Sequence, residues 1–180
     1  MRHLIKYVLR YPQGHVPKDW EVPEGYVPEG CIEDYDLSFA AEAPEVGQTF
    51  DAWGDSWKVA QIQTYQRLGS IETALESFHI AVCTQDGCVP VREPWHSSKP
   101  PLLVIHALSR GELATNEDGS CYYELVERED WITPFQGWEI QTLQHFEPVG
   151  ERLPGDHDKV IVAWSLSTVE LDEHSGQKAA

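Results

Sequence analysis

Apolar residues along this chain come in short runs of β-branched and aromatic side chains, separated by Gly, Pro and Asp. Such runs predict strands rather than helices. They fall at 4–9, 46–50, 57–65, 78–84, 102–108, 121–127, 138–146 and 159–166. Trp53-Gly54-Asp55-Ser56 predicts a turn between the second and third. Helical periodicity is nearly absent. Its best stretch is 71–77, where Ile71, Leu75 and Phe78 stand at i, i+4 and i+7 and Ser70 is placed to cap. The pattern therefore predicts an all-β chain with little helix.

One stretch is written twice. Trp57-Lys58-Val59-Ala60-Gln61-Ile62-Gln63-Thr64-Tyr65 aligns without a gap on Trp138-Glu139-Ile140-Gln141-Thr142-Leu143-Gln144-His145-Phe146, 81 positions later. At the same offset Gly69 meets Gly150, and Ile80-Ala81-Val82 meets Ile161-Val162-Ala163. Leu4-Ile5-Lys6-Tyr7-Val8-Leu9 is similar to Leu103-Val104-Ile105-His106-Ala107-Leu108. A β unit built twice is the expectation. In both copies the alternation breaks once: Trp57, Val59 and Tyr65 share a parity that Ile62 leaves, as Leu143 does in the second copy. A long strand that changes face at a bulge accounts for this.

The organisation predicted is a first module over 1–92 with a long acidic loop over 11–45, and a Pro/Ser-rich joint over 93–101. A second module over 102–168 and a flexible tail over 169–180 follow. Two modules of about five short strands, each with a long bent strand, resemble SH3-like β-barrels. The nearest fragment to that family's Ala-Leu-Tyr-Asp-Tyr segment is Tyr35-Asp36-Leu37, which is too short to carry its polyproline binding over. Fold alone does not imply function.

Charge narrows the function classes. Thirty acids face thirteen Lys and Arg, for a net charge of −17. Between Lys18 and Lys58 there is no basic residue. This field repels nucleic acid and anionic lipid and attracts a basic protein. No run is long and apolar enough for a membrane helix, and 1–10 does not read as a signal peptide. A cytoplasmic protein is the expectation, with no membrane partner and no direct nucleic-acid binding.

No phosphate loop, nucleophile elbow or zinc-protease motif is present, and no cofactor is predicted. The leading expectation is a non-enzymatic acidic adaptor or assembly protein. Its partner-binding residues would be Trp20, Glu24, Tyr26, Glu29, Asp34 and Trp53, with aromatics as anchors and acids steering a basic partner. The alternatives are a small metal or cysteine enzyme, or an acidic mimic of nucleic acid. A metal would draw on His79, His106, His145 or the Asp156-His157-Asp158 loop; a thiol nucleophile would be Cys83 with His79. Cys83 and Cys88 flank a plausible hairpin loop, and without a secretion signal both are expected reduced.

Overall fold

In a computed structural model the described residues are 2–12, 14–16, 20–26, 32–69, 75–85, 101–111, 115–117, 121–129, 131–151 and 157–168. The joint over 93–101 except Pro101, the tail over 169–180 and Glu29 lie outside them. Nine strands are formed: β1 His3–Arg10, β2 Glu33–Ala40, β3 Thr49–Ala52, β4 Asp55–Arg67, β5 Ser77–Gln85, β6 Leu102–Ser109, β7 Glu124–Glu129, β8 Trp138–Pro148 and β9 Lys159–Ser167. The protein is all-β, with almost no helix among the described residues.

All nine strands belong to one sheet, in the order β2-β1-β5-β4-β8-β9-β6-β7, with β3 added to β4. The sheet curls into a nearly closed barrel. β1 runs parallel to β5, and β6 parallel to β9; every other pair is antiparallel. The parallel strands are covered on both faces. This is why Ser77–Thr84 and Leu103–Ser109 are buried throughout and show no alternation of exposed and buried positions.

Two regions differ from the sequence expectation. Residues 33–40, placed in the acidic loop, form β2: Tyr35, Leu37 and Phe39 share one face, and Leu37 and Phe39 pack on the core. The helix expected over 71–77 ends in strand instead. Ser77 opens β5, Leu75 and Phe78 are fully buried, and 71–74 lie outside the described residues.

The expected bulge is present twice. The register of β4 on β5 shifts between Val59 and Gln61, and that of β8 on β9 between Ile140 and Thr142. Each bulge transfers its strand from one face to the other. Trp57 and Val59 therefore pack in an outer cluster with Ile5, Leu9, Tyr11, Ala81 and Cys83, while Tyr65 packs inside. The interior cluster joins both halves of the chain: Leu4, Val8, Phe78, Ile80 and Val82 meet Leu103, Ile105, Phe146, Val160 and Val162.

The halves join through β4 and β8, paired at Tyr65–Pro148, Gln66–Glu147 and Arg67–Phe146. Two flanking bonds frame the join: Leu68 N–H donates to His145 O (2.8 Å) and Val149 N–H to Thr64 O (2.9 Å). On the opposite side, β2 and β7 are the free ends of the strand order. Side chains close this gap. Phe39 stacks on Trp164 with centroids 5.8 Å apart, and Lys6 Nζ reaches across to Glu127 at 2.6 Å.

Candidate functional site

The outer face of the first half is apolar in its middle and polar at one end. Within β1, His3, Ile5, Tyr7 and Leu9 share that face; within β5, Ser77, His79, Ala81 and Cys83 do. The register places His3 beside Ser77, and His79 opposite Thr64 of β4. Four side chains then form one hydrogen-bonded chain. His3 Nδ1 is 2.7 Å from Ser77 Oγ, Ser77 Oγ is 2.7 Å from His79 Nε2, and His79 Nδ1 is 3.1 Å from Thr64 Oγ1. The His3 and His79 rings lie 5.4 Å apart.

His3, Thr64 and Ser77 line an open cleft of about 380 Å³, together with Gln66, Arg67, Gly69 and Glu76, while His79 lies buried behind them. A second, larger cleft of about 850 Å³ shares His3 with it. Ile5 and Tyr7 floor that cleft, and Ala40, Ala41, Ala43 and Pro44 are among its walls. Arg2 stands at the junction and donates from Nε to Glu76 (2.9 Å).

Electrostatics set the states of these groups. Burial, with a smaller contribution from the neighbouring His3, lowers the His79 pKa to about 4. His79 is therefore a neutral imidazole at physiological pH. When Nδ1–H donates to the Thr64 hydroxyl, Nε2 is left with a lone pair directed at Ser77. Ser77 is a hydroxyl held between two imidazole nitrogens, and in that tautomer of His79 it donates to Nε2.

The positions singled out from sequence are distributed differently. Trp20, Tyr26 and Trp53 are exposed, as is Glu24 in the turn closed by Tyr26 N–H and Pro23 O (3.0 Å). Asp34 lies on edge strand β2, opposite Leu9, where its Oδ1 accepts from Tyr35 N–H (2.8 Å). Trp53 forms the tip of the β3–β4 hairpin with Gly54, at φ +51° and +80° respectively. Positive φ at both central residues matches the twist of the flanking strands, and Asn-Gly is the usual occupant.

The four candidate metal histidines do not assemble. Among the described residues no group of three or more His, Cys, Asp or Glu side chains is placed to hold a metal ion. Asp156 lies outside those residues. His106 is fully buried on β6, bonded from Nε2 to Trp131 O (3.1 Å) and edge-on to Phe135. Burial is the main cause that lowers its pKa. His145 is lowered by burial and by Lys159. His157 is buried beside the core, where its carbonyl accepts from the Tyr65 hydroxyl (3.0 Å).

The cysteine reading meets a direct obstacle. Cys83 is a free, fully buried thiol whose pKa burial raises to about 12, and its Sγ contacts Ala81 O rather than a base. A thiol so rarely ionised is a poor nucleophile. Iodoacetamide at mildly alkaline pH is accordingly expected to alkylate exposed Cys121 in the native protein. Cys83 should react only after urea unfolding, with peptide mapping as the readout. Rapid native alkylation of Cys83 would contradict the burial argument.

His79 is the one position of the polar row that sequence reasoning singled out. Ser77 and His79 carry a legible signal, being two apart on a strand and so on one face. His3 and Thr64 join them only through strand pairing. No protein-family model matches the chain, and no curated protein or solved structure is significantly similar to it.

Proposed function

We propose that the protein is an acidic adaptor, built from a doubled β unit, that binds a basic protein through exposed aromatics and acids of its first half. The observation that carries this reading is Trp53. A large aromatic in the left-handed region costs about 1 kcal/mol relative to Gly or Asn. Here it stands 46% exposed at a hairpin tip, so burial does not recover that cost. A side chain kept in a strained and exposed position suits a contact residue better than a structural one. Trp20, Tyr26 and Glu24 are exposed on the same first half of the chain, and Asp34 is placed at its sheet edge.

The matched bulges support the doubled origin, as does the join centred on Gln66 and Glu147. So do the two inward glutamines, Gln63 and Gln144, each only 2% exposed. Gln63 Nε2 donates to Thr64 O and Val149 O, and Gln144 Oε1 accepts from Trp164 Nε1 (2.7 Å).

Trp53→Asn tests the function and the strain together. The variant is expected to raise the unfolding free energy by about 1 kcal/mol, because Asn-Gly suits this turn. It should also lose the partner. The readout is urea unfolding beside affinity capture from the native cell lysate, with the retained protein identified by mass spectrometry at low and high salt. Reversing Glu24, Glu29 and Asp34 to Lys should slow association with the same protein and flatten its salt dependence. A partner held equally by wild type and both variants would defeat this reading.

A further inference from the structure

The polar row on the outer face is not something the barrel requires. The second half builds the same strand arrangement with other residues. β4 pairs Tyr65 with Phe78, and β8 pairs Phe146 with Val160. Following those registers, the places of His3, Thr64, Ser77 and His79 are taken by Leu102, His145, Lys159 and Ile161. Apolar and charged side chains therefore satisfy the same scaffold without a hydroxyl between two imidazoles. In the first half, the chain of Thr64, His79, Ser77 and His3 is formed at distances of 2.7–3.1 Å, and His3, Thr64 and Ser77 open on a cleft.

We propose that Ser77 is an acyl-accepting nucleophile, with His79 as its general base and an ester or thioester as its substrate. Ser77 Oγ attacks the carbonyl carbon while its proton passes to His79 Nε2. The tetrahedral intermediate collapses, and the bond from carbon to the leaving oxygen or sulfur breaks. The leaving group takes the proton from His79, and the acyl group remains on Oγ. Water then attacks that ester, with His79 accepting its proton and returning it to Ser77 Oγ. The sum is hydrolysis to a carboxylic acid and an alcohol or thiol. This is the Ser–His logic of nucleophilic catalysis, with a threonine hydroxyl orienting the base.

The surroundings select the substrate. The groove shared at His3 sets Ile5, Tyr7, Ala40 and Pro44 beside Arg2, Glu42, Glu45 and Gln48, and takes the acyl group of the substrate. Gln66, Arg67 and Gly69 line the side left for the leaving group. A neutral, weakly basic His79 is a reluctant proton acceptor, which limits the reaction to activated acyl groups rather than amides. Thr64 is a positioning residue that acts through His79.

The test uses the full chain with a fluorophosphonate probe and with p-nitrophenyl butyrate. Peptide mapping is expected to place a single phosphonyl adduct on Ser77, absent from Ser77→Ala. His79→Gln keeps the nucleophile and should slow labelling by roughly 100-fold, the usual worth of a positioned base. Across pH, wild-type labelling should fall off near pH 4 rather than near 6.5. The groups facing His79 are His3 from β1 and the non-titrating Thr64 from β4. Thr64→Val should move that inflection while leaving Ser77 reactive. An adduct elsewhere, no adduct, or equal labelling of His79→Gln and wild type overturns the proposal. Ser77→Ala must retain the wild-type circular dichroism, and if it unfolds, the His79→Gln comparison decides alone. Trp53 variants should label at the wild-type rate, which keeps this proposal separate from partner binding.

Discussion

Glu127→Ala is expected to destabilise the fold by roughly 3 kcal/mol or more, although its own side chain is partly exposed. The reason lies in the residue it leaves behind. Lys6 shares the inward face of β1 with Leu4 and Val8, and its side chain is only 3% exposed. Its Nζ is bonded to Glu127 at 2.7 Å and lies 4.5 Å from the Tyr35 ring centroid. Removing the carboxylate leaves a buried ammonium with the face of a phenol and no opposite charge. Breaking one side of a buried pair costs about 3–5 kcal/mol, whereas replacing both partners with apolar residues is often neutral. The paired variant Lys6→Met/Glu127→Leu should therefore recover most of the loss. The measurement is urea unfolding of wild type, both single variants and the double variant, compared at constant m-value. If Glu127→Ala costs under about 1 kcal/mol, the pair behaves as a surface contact and does not hold the seam between the β1–β2 edge and β7.

The same pair shows what the sequence concealed. Lys6 interrupts an apolar run, and nothing near it in the chain indicates a partner 121 positions away. Strand β2 was hidden differently. Tyr35, Leu37 and Phe39 alternate with Asp34, Asp36 and Ser38, which is the strand period, but the density of acids around them reads as loop. The bulge was legible because it breaks a parity visible in both copies, at Ile62 and at Leu143.

The register beyond the bulge was not legible. Aligning Ile80-Ala81-Val82 on Ile161-Val162-Ala163 is one residue out, since the pairings set Phe78 against Tyr65 and Val160 against Phe146. A one-residue slip flips every side chain. It passes unnoticed in a strand buried on both faces, because no alternation marks its register. The candidate site divides the same way. Ser77 and His79 share a face by local spacing, while His3 and Thr64 reach them only because β1 and β4 flank β5.

Trp57 and Trp138 open the two segments of similar sequence, yet their removal is expected to have unequal effects. Trp57 is fully buried. Its ring meets Tyr11 edge-on at 5.0 Å, and Nε1 donates to Ala52 O (3.2 Å). Ala52 belongs to β3, which pairs along the start of β4 and adds Phe50 to the outer cluster. In the second half, residues 131–137 stand ahead of β8 without forming a strand, and Trp138 is only half-buried. Trp57→Ala therefore removes a packed ring and its hydrogen bond and leaves a cavity in the outer cluster. The expected loss is about 3–5 kcal/mol. Trp138→Ala should cost about half of that or less, because water already reaches its ring and can fill the space. Thermal and urea unfolding of the two variants measures the difference directly. Equal losses would mean that the outer cluster around Trp57 holds its ring no more tightly than the half-buried surroundings of Trp138 hold theirs.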